Sequence, residues 1–270
     1  MAVDAILTCQ NVSFGYDGHI VVHNLTFSVE RGDYLCIVGE NGSGKSTLIK
    51  GVLRLITPLQ GSIIINAGSA AKSKAAPQAM QSSFPKIKGN AVGYLSQASA
   101  AKKDFPAGVA EIVFSGMTGG MGLRPFYSRK EKELAERAMG RLAITALRNR
   151  CFRELSGGQQ RRVLIARALC AVLRDDAAWE GNASACRKML VLDEPAAGLD
   201  PLVTAELYQL LQTLNTELGV AIIMVSHDID SALKYTRHIL HITAAGSFYG
   251  THAEYTQSDH YKRLIGGNDK

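Results

Sequence analysis

The chain has 270 residues, 46% hydrophobic and 20% charged, enough for one large domain or two small ones with a sizeable core, so wholesale disorder is excluded. Its longest strictly apolar runs, 168–173 and 220–225, are six residues each, far short of the roughly 20 that a membrane-spanning helix needs. A net charge of +6, from 30 basic and 24 acidic residues, suits an anionic partner or a soluble protein with a slight basic excess, and selects neither.

The first ten residues lack a basic segment and carry Asp4, unlike a secretory signal, so the chain is expected in the cytosol. Cys9, Cys36, Cys151, Cys170 and Cys186 are odd in number and scattered, without a CxxC pair, which suits reduced thiols. Short apolar runs at 34–38, 63–65, 189–192 and 220–225 suit strands buried on both faces of a parallel sheet. Helical spacing of three and four joins Leu134, Ala138, Met139 and Leu142, and again Leu207, Leu210, Leu211, Leu214 and Leu218. Alternation of strand and helix predicts an α/β fold. Two segments interrupt it and are expected as surface insertions: 67–90, with four lysines and no acid, and 174–187.

Between the 34–38 strand and an apolar helical stretch lie Gly39, Glu40, Asn41, Gly42, Ser43, Gly44, Lys45, Ser46 and Thr47, matching GxxxxGK[ST] at every fixed position. Glycines there let backbone N–H groups turn toward phosphates, and the helix N-terminus adds partial positive charge. Lys45 is expected on the β/γ oxygens and the Ser46 hydroxyl on Mg²⁺. The apolar run at 189–192 closes on Asp193 and Glu194. Adjacent strand side chains point to opposite faces, so the two acids should differ in role: Asp193 linked to Mg²⁺, Glu194 free to polarise an attacking water.

Leu155, Ser156, Gly157, Gly158 and Gln159 then complete a pattern. With the phosphate loop and the acid pair, the chain resembles the ATP-binding subunit of an ABC transporter. The resemblance runs from about residue 6 to 255 and extends to single positions. Tyr16 resembles the aromatic that stacks on adenine. Gln97 resembles the lid-loop glutamine, which contacts nucleotide and Mg²⁺. Asp200 resembles the loop of the dimer interface, and His227 the switch histidine.

The resemblance implies a phosphate-binding-loop NTPase of the ABC ATPase type. Its core sheet is mostly parallel and flanked by helices, with an N-terminal antiparallel β subdomain. A helical subdomain, about 100–172, carries the signature pentapeptide. Residues 1–255 would form a single cassette and 256–270 a tail. Two copies would stack head to tail, each ATP lying between the phosphate loop of one and residues 155–159 of the other. Glu194 and His227 would be catalytic, and the cofactors ATP and Mg²⁺. Ser156 lies 37 residues before Asp193, longer than the family usually shows, because of the 174–187 insertion.

Permease subunits, a second cassette and, for an importer, an extracytoplasmic substrate-binding protein are the implied partners, at the cytoplasmic face of the membrane; no nucleic acid is expected. Residues 104–113 and 122–128, Asn149, Arg150, 248–250, Glu254 and Tyr255 resemble the zinc/manganese uptake branch. An iron or iron-chelate importer, or a non-transport ABC ATPase such as an iron–sulfur assembly ATPase, stays open. His238 and His241 lie in a strand-like run, where a spacing of three puts their rings on opposite faces, as ordinary packing histidines.

Overall fold

The computed structural model describes residues 5–66, 92–97, 106–121, 124–173, 188–243 and 246–266. The two expected insertions, 67–90 and 174–187, lie outside the described residues.

The chain opens with two twelve-residue strands, β1 (Ala5–Tyr16) and β2 (His19–Glu30). Asp17 and Gly18, both at positive φ, turn one into the other, as a two-residue hairpin requires. β3 (Tyr34–Val38) leads through the glycine-rich loop into α1 (Lys45–Val52). β4 (Gln60–Ile65) then returns to β1, giving a three-stranded antiparallel sheet of order β2-β1-β4. The 63–65 run was expected in the parallel sheet; it belongs instead to this antiparallel edge. Ile63 and Ile65 pack inward while Ile64 is 46% exposed, and three isoleucines are too short a run to reveal that alternation.

The second sheet has six strands in the order β5 (Val92–Leu95), β6 (Met189–Asp193), β7 (Ala221–Val225), β3, β8 (His238–Thr243) and β9 (Gly246–Thr251). The first five are parallel, and β9 returns antiparallel to β8. Every residue of β3, β6 and β7 is buried, because both faces are covered. Tyr34, Cys36 and Val38 face a core built with helices α2 (Val109–Ser115), α3 (Arg129–Arg141), α4 (Gly157–Val172) and α5 (Pro201–Leu218). Leu35 and Ile37 face the other core, shared with α1 and the antiparallel sheet.

Helix ends follow their chemistry. Ser128 and Glu131 form a capping box on α3, and Gly219, at φ 64, stops α5. Leu134, Ala138 and Met139 are buried on α3, and Leu207, Leu211, Leu214 and Leu218 on α5, the faces the spacing predicts. After β7 comes α6 (Ile229–Tyr235); after β9 come α7 (His252–Gln257) and α8 (Asp259–Gly266). The stretch expected as a tail thus carries α8, whose Tyr261 ring packs on buried Tyr255. His238 meets Asp33 across 2.8 Å, while His241 meets the Tyr255 hydroxyl at 3.0 Å, on the opposite side of β8.

Candidate active site

The loop between β3 and α1 wraps a phosphate-sized hollow because two glycines permit it. A side chain at Gly39 would stand 2.3 Å from the Ile242 carbonyl oxygen. One at Gly44, φ 96, would stand 2.4 Å from a Val22 methyl. Lys45 turns back over the loop: its Nζ donates to the Gly39 carbonyl at 2.7 Å and to the Glu40 carbonyl at 2.8 Å. Burial lowers the ammonium pKa, and the charges of Glu194 and Asp193 oppose that shift. Ser43 Oγ is buried without a protein partner, an unfilled hydrogen-bonding position inside the loop.

Asn41, Gly42, Gly44, Lys45, Ser46 and Thr47 line one side of an open cleft of about 560 Å³; Gln97, Glu194 and His227 line the other. Glu194 is the hub. Gln97 Nε2 donates to its Oε2 at 2.7 Å, and His227 Nε2 stands 2.5 Å from its Oε1. Its backbone has φ 49, a left-handed conformation rare outside glycine. Strand β6 therefore ends at Asp193, and the placement of Glu194 is set by this turn as well as by the strand. Both carboxylate charges act on Lys45, and the Glu194 charge acts on Asp193.

Burial and the Glu194 charge raise the Asp193 pKa, while a hydrogen bond from the Tyr94 hydroxyl and the Lys45 and His227 charges oppose the rise. A buried acid pressed this way is a place where a hard cation fits. Ser46 and Gln97 line the cleft, and Asp193 acts on Lys45 there; all three carry oxygen donors, the type Mg²⁺ takes.

Tyr16 stands outside the cleft, at the end of β1 and 42% exposed. Lys50 Nζ lies 5.5 Å from its ring centroid and 3.3 Å from its hydroxyl. Hydrogen bonding with Thr47, then Lys50, lowers the phenol pKa, so Tyr16 adjoins the cleft through Thr47.

The signature pentapeptide does not line this cleft. Leu155 is anchored in the core, whereas Ser156 and Gly157 are exposed at the start of α4. Ser156 Oγ accepts from Gln159 N–H at 3.3 Å, and Gln159 Oε1 accepts from Ser156 N–H at 3.1 Å. Gly158 closes the turn against α5, where an added side chain would meet Val203 at 2.6 Å. Asp200 is the N-cap of α5, accepting from Val203 N–H at 3.0 Å.

A family model described as ABC transporter matches residues 22–174, more than half of the chain. The chain belongs to the ABC transporter family. It is an ATP-binding subunit of that family. The zinc uptake system ATP-binding protein ZurA of Listeria innocua serovar 6a is 35% identical over 254 residues, covering 94% of this chain and 88% of that protein. The manganese transport system ATP-binding protein MntA of Synechocystis sp. is 31% identical, over 87% of this chain and 80% of its own. Among solved structures, cbiO1 from Clostridium perfringens, part of the ABC transporter complex cbiONQ, matches with a TM-score of 0.73 at 26% identity. That match covers 97% of this chain and 94% of cbiO1.

Some residues of this ATP-binding subunit's site carry no mark in the sequence. Tyr94 acts through a hydrogen bond to Asp193 that only the folded chain makes. Arg161, 6% exposed on the signature helix, is another. Its Nη2 reaches the Ala197 carbonyl at 3.5 Å, its Nη1 is buried without a partner, and it feels the Glu194 charge. It ties the helix carrying the signature to the loop after the acid pair.

Proposed function

We propose that this chain is the ATP-hydrolysing subunit of a metal importer, with zinc or manganese as the transported ion. The observation that carries the chemistry is the convergence of Gln97, Glu194 and His227 opposite Lys45 and Ser46 in one cleft. The metal assignment rests on likeness to the zinc and manganese relatives.

Lys45 and the loop N–H groups hold the β- and γ-phosphates, and Tyr16 offers its exposed ring to the adenine. Glu194 polarises the attacking water through a carboxylate oxygen, and His227 orients that carboxylate and the γ-phosphate. Mg²⁺, held by Ser46 with Gln97 and Asp193, would neutralise developing phosphate charge. A second copy supplies Ser156, Gly157, Gly158 and Gln159 across a head-to-tail dimer, with Asp200 at the interface; this fits the exposure of Ser156, Gly157 and Asp200 and the placement of all five outside the cleft. Residues 1–255 act as one cassette, with a helical subdomain at about 100–172. Among the described residues no helix is long and apolar enough to cross a membrane, so permease subunits provide the path, a substrate-binding protein delivers the metal, and the cassette docks on the cytoplasmic face.

Glu194→Gln tests the chemistry. It keeps shape and loses the carboxylate, so turnover should fall at least about 100-fold while ATP binding persists and an ATP-bound dimer accumulates in size-exclusion chromatography. Turnover at the unmodified rate would reject the assignment. Growth of a deletion strain tests the cargo: a defect under zinc or manganese limitation is expected, and a defect confined to iron chelates would move the assignment.

A further inference from the structure

We propose that Tyr208 is a positioning residue for His227, acting through the Ser226 hydroxyl. This rests on the hydrolytic role given to His227 above. His227 is in the short irregular link between β7 and α6, and its side chain is 43% exposed. Helix and strand ladders do not fix residues 227 and 228, yet the ring must hold Nε2 against Glu194.

A half-open pocket of about 290 Å³ adjoins the link, lined by Tyr208, Ser226, His227 and Asp228 with Thr204 and Glu194 among others, and directional bonds hold the chain beside it. Ser226 Oγ accepts from Asp228 N–H at 3.1 Å and donates to the Asp228 carbonyl at 3.1 Å, so both bonds close around His227. Ser226 N–H also donates to the Ile37 carbonyl on β3 at 3.2 Å. A serine hydroxyl has one proton and two acceptor positions. With its proton spent on Asp228, its contact with Tyr208 Oη at 3.2 Å has one polarity: the phenol donates.

Tyr208 is suited to that task. It sits in the middle of α5, 1% exposed, with its ring against Tyr235 at 5.6 Å between centroids. Burial pushes the phenol up to about 12, so it remains a donor. The strut therefore runs from a rigid helix to a serine that brackets the switch histidine. Tyr208→Phe keeps the ring and removes one donor; Ser226→Ala removes all three side-chain bonds.

The test is steady-state ATP hydrolysis by the purified full chain, with thermal unfolding recorded for each variant. One neutral hydrogen bond corresponds to roughly 2- to 12-fold, so Tyr208→Phe should lower kcat about that much with KM within about twofold. Ser226→Ala should lower it further, and Ser226→Thr should restore it. In a His227→Ala background, neither Tyr208→Phe nor Ser226→Ala should lower the residual rate again; a purely structural loss would multiply through. Unchanged kcat in both single variants, an undiminished effect in the His227→Ala background, or KM rising in proportion to the loss would overturn the proposal. If His227→Ala itself leaves turnover intact, the role of His227 falls and the strut with it. If His227→Ala is inactive but the strut variants are silent, only the strut is refuted. Should Tyr208→Phe weaken the fold, Ser226→Ala carries the same test with the core ring untouched.

Discussion

Lys45→Ala should weaken ATP binding by about 10- to 150-fold, and the structure sets that range. An ammonium has three N–H donors. Two are spent on the Gly39 and Glu40 carbonyls, at 2.7 and 2.8 Å, which leaves one for a phosphate oxygen. A hydrogen bond to a charged group contributes about 1.5–3 kcal/mol, and about 1.4 kcal/mol is tenfold in affinity. Losses elsewhere partly cancel in the free protein. The two carbonyls face an open cleft and regain water, while the cost of burying the ammonium, which lowers its pKa, disappears. The melting temperature should therefore move little while affinity falls. Calorimetric titration with a slowly hydrolysed ATP analogue at fixed Mg²⁺ measures the effect. A dissociation constant within about twofold of the unmodified chain would show that the third donor does not meet phosphate.

Two further outcomes concern stability. Asn215 Nδ2 shares its two N–H groups among the Gly32, Asp33 and Val220 carbonyls at 3.1, 3.2 and 2.9 Å, pinning α5 to the β2–β3 turn and to the start of β7. The Asp33 carbonyl keeps the Ile222 N–H, so Asn215→Leu should cost about 1–3 kcal/mol, chiefly by leaving the buried Val220 carbonyl unpaired; a urea midpoint unchanged at constant slope would refute this. Burial, with His260 and Lys45 adding to it, holds the His241 pKa down to about 4. The unfolded chain, with its histidine near 6.5, then binds more protons between those values. Stability is full above about pH 6.5 and declines as pH falls toward 4, by at most about 3 kcal/mol from this residue. His241→Gln should flatten that decline, as read from urea unfolding at pH 7 and pH 4.5; an equal decline in both proteins would exclude His241 as its source.

What the sequence discloses depends on how far apart the interacting atoms lie along the chain. β3, β6 and β7 stand out as apolar runs because both faces of each are buried, and the phosphate loop because its residues are contiguous. β1 and β2 leave a weaker trace: their exposed and buried positions are interrupted by register shifts, including one at Asn11, which has φ 50. Their antiparallel arrangement came from the family resemblance and not from any periodicity. Gln97, Glu194 and His227 were named individually, but their meeting at 2.7 and 2.5 Å is a product of strand order, which places β5, β6 and β7 side by side. The left-handed turn at Glu194 ends β6, so the placement of Glu194 depends on that turn and cannot be read from strand spacing alone. Tyr208 looks like one more core aromatic on α5 until its hydroxyl is traced to Ser226.

The same distinction separates the cap that Ser156 forms from the role proposed for it across a dimer. As N-cap of α4 its oxygen accepts from Gln159 N–H at 3.3 Å, which uses a lone pair and leaves the hydroxyl proton free. The first N–H groups of a helix have no intrahelical partner, and Gly157 is exposed. Capping and phosphate binding across a dimer therefore do not compete, and one substitution should split them. Aspartate is as good an N-cap as serine, so Ser156→Asp should leave the melting temperature nearly unchanged. It also replaces the free proton with negative charge where the partner's γ-phosphate would arrive. Combined with Glu194→Gln, it should abolish the ATP-dependent dimer that Glu194→Gln alone is expected to show in size-exclusion chromatography, while each monomer still binds ATP. Ser156→Ala, by contrast, should lower stability by about 0.5–2 kcal/mol through the lost cap. A Ser156→Asp chain that still dimerises with ATP would place the γ-phosphate away from Ser156 and reject the head-to-tail arrangement.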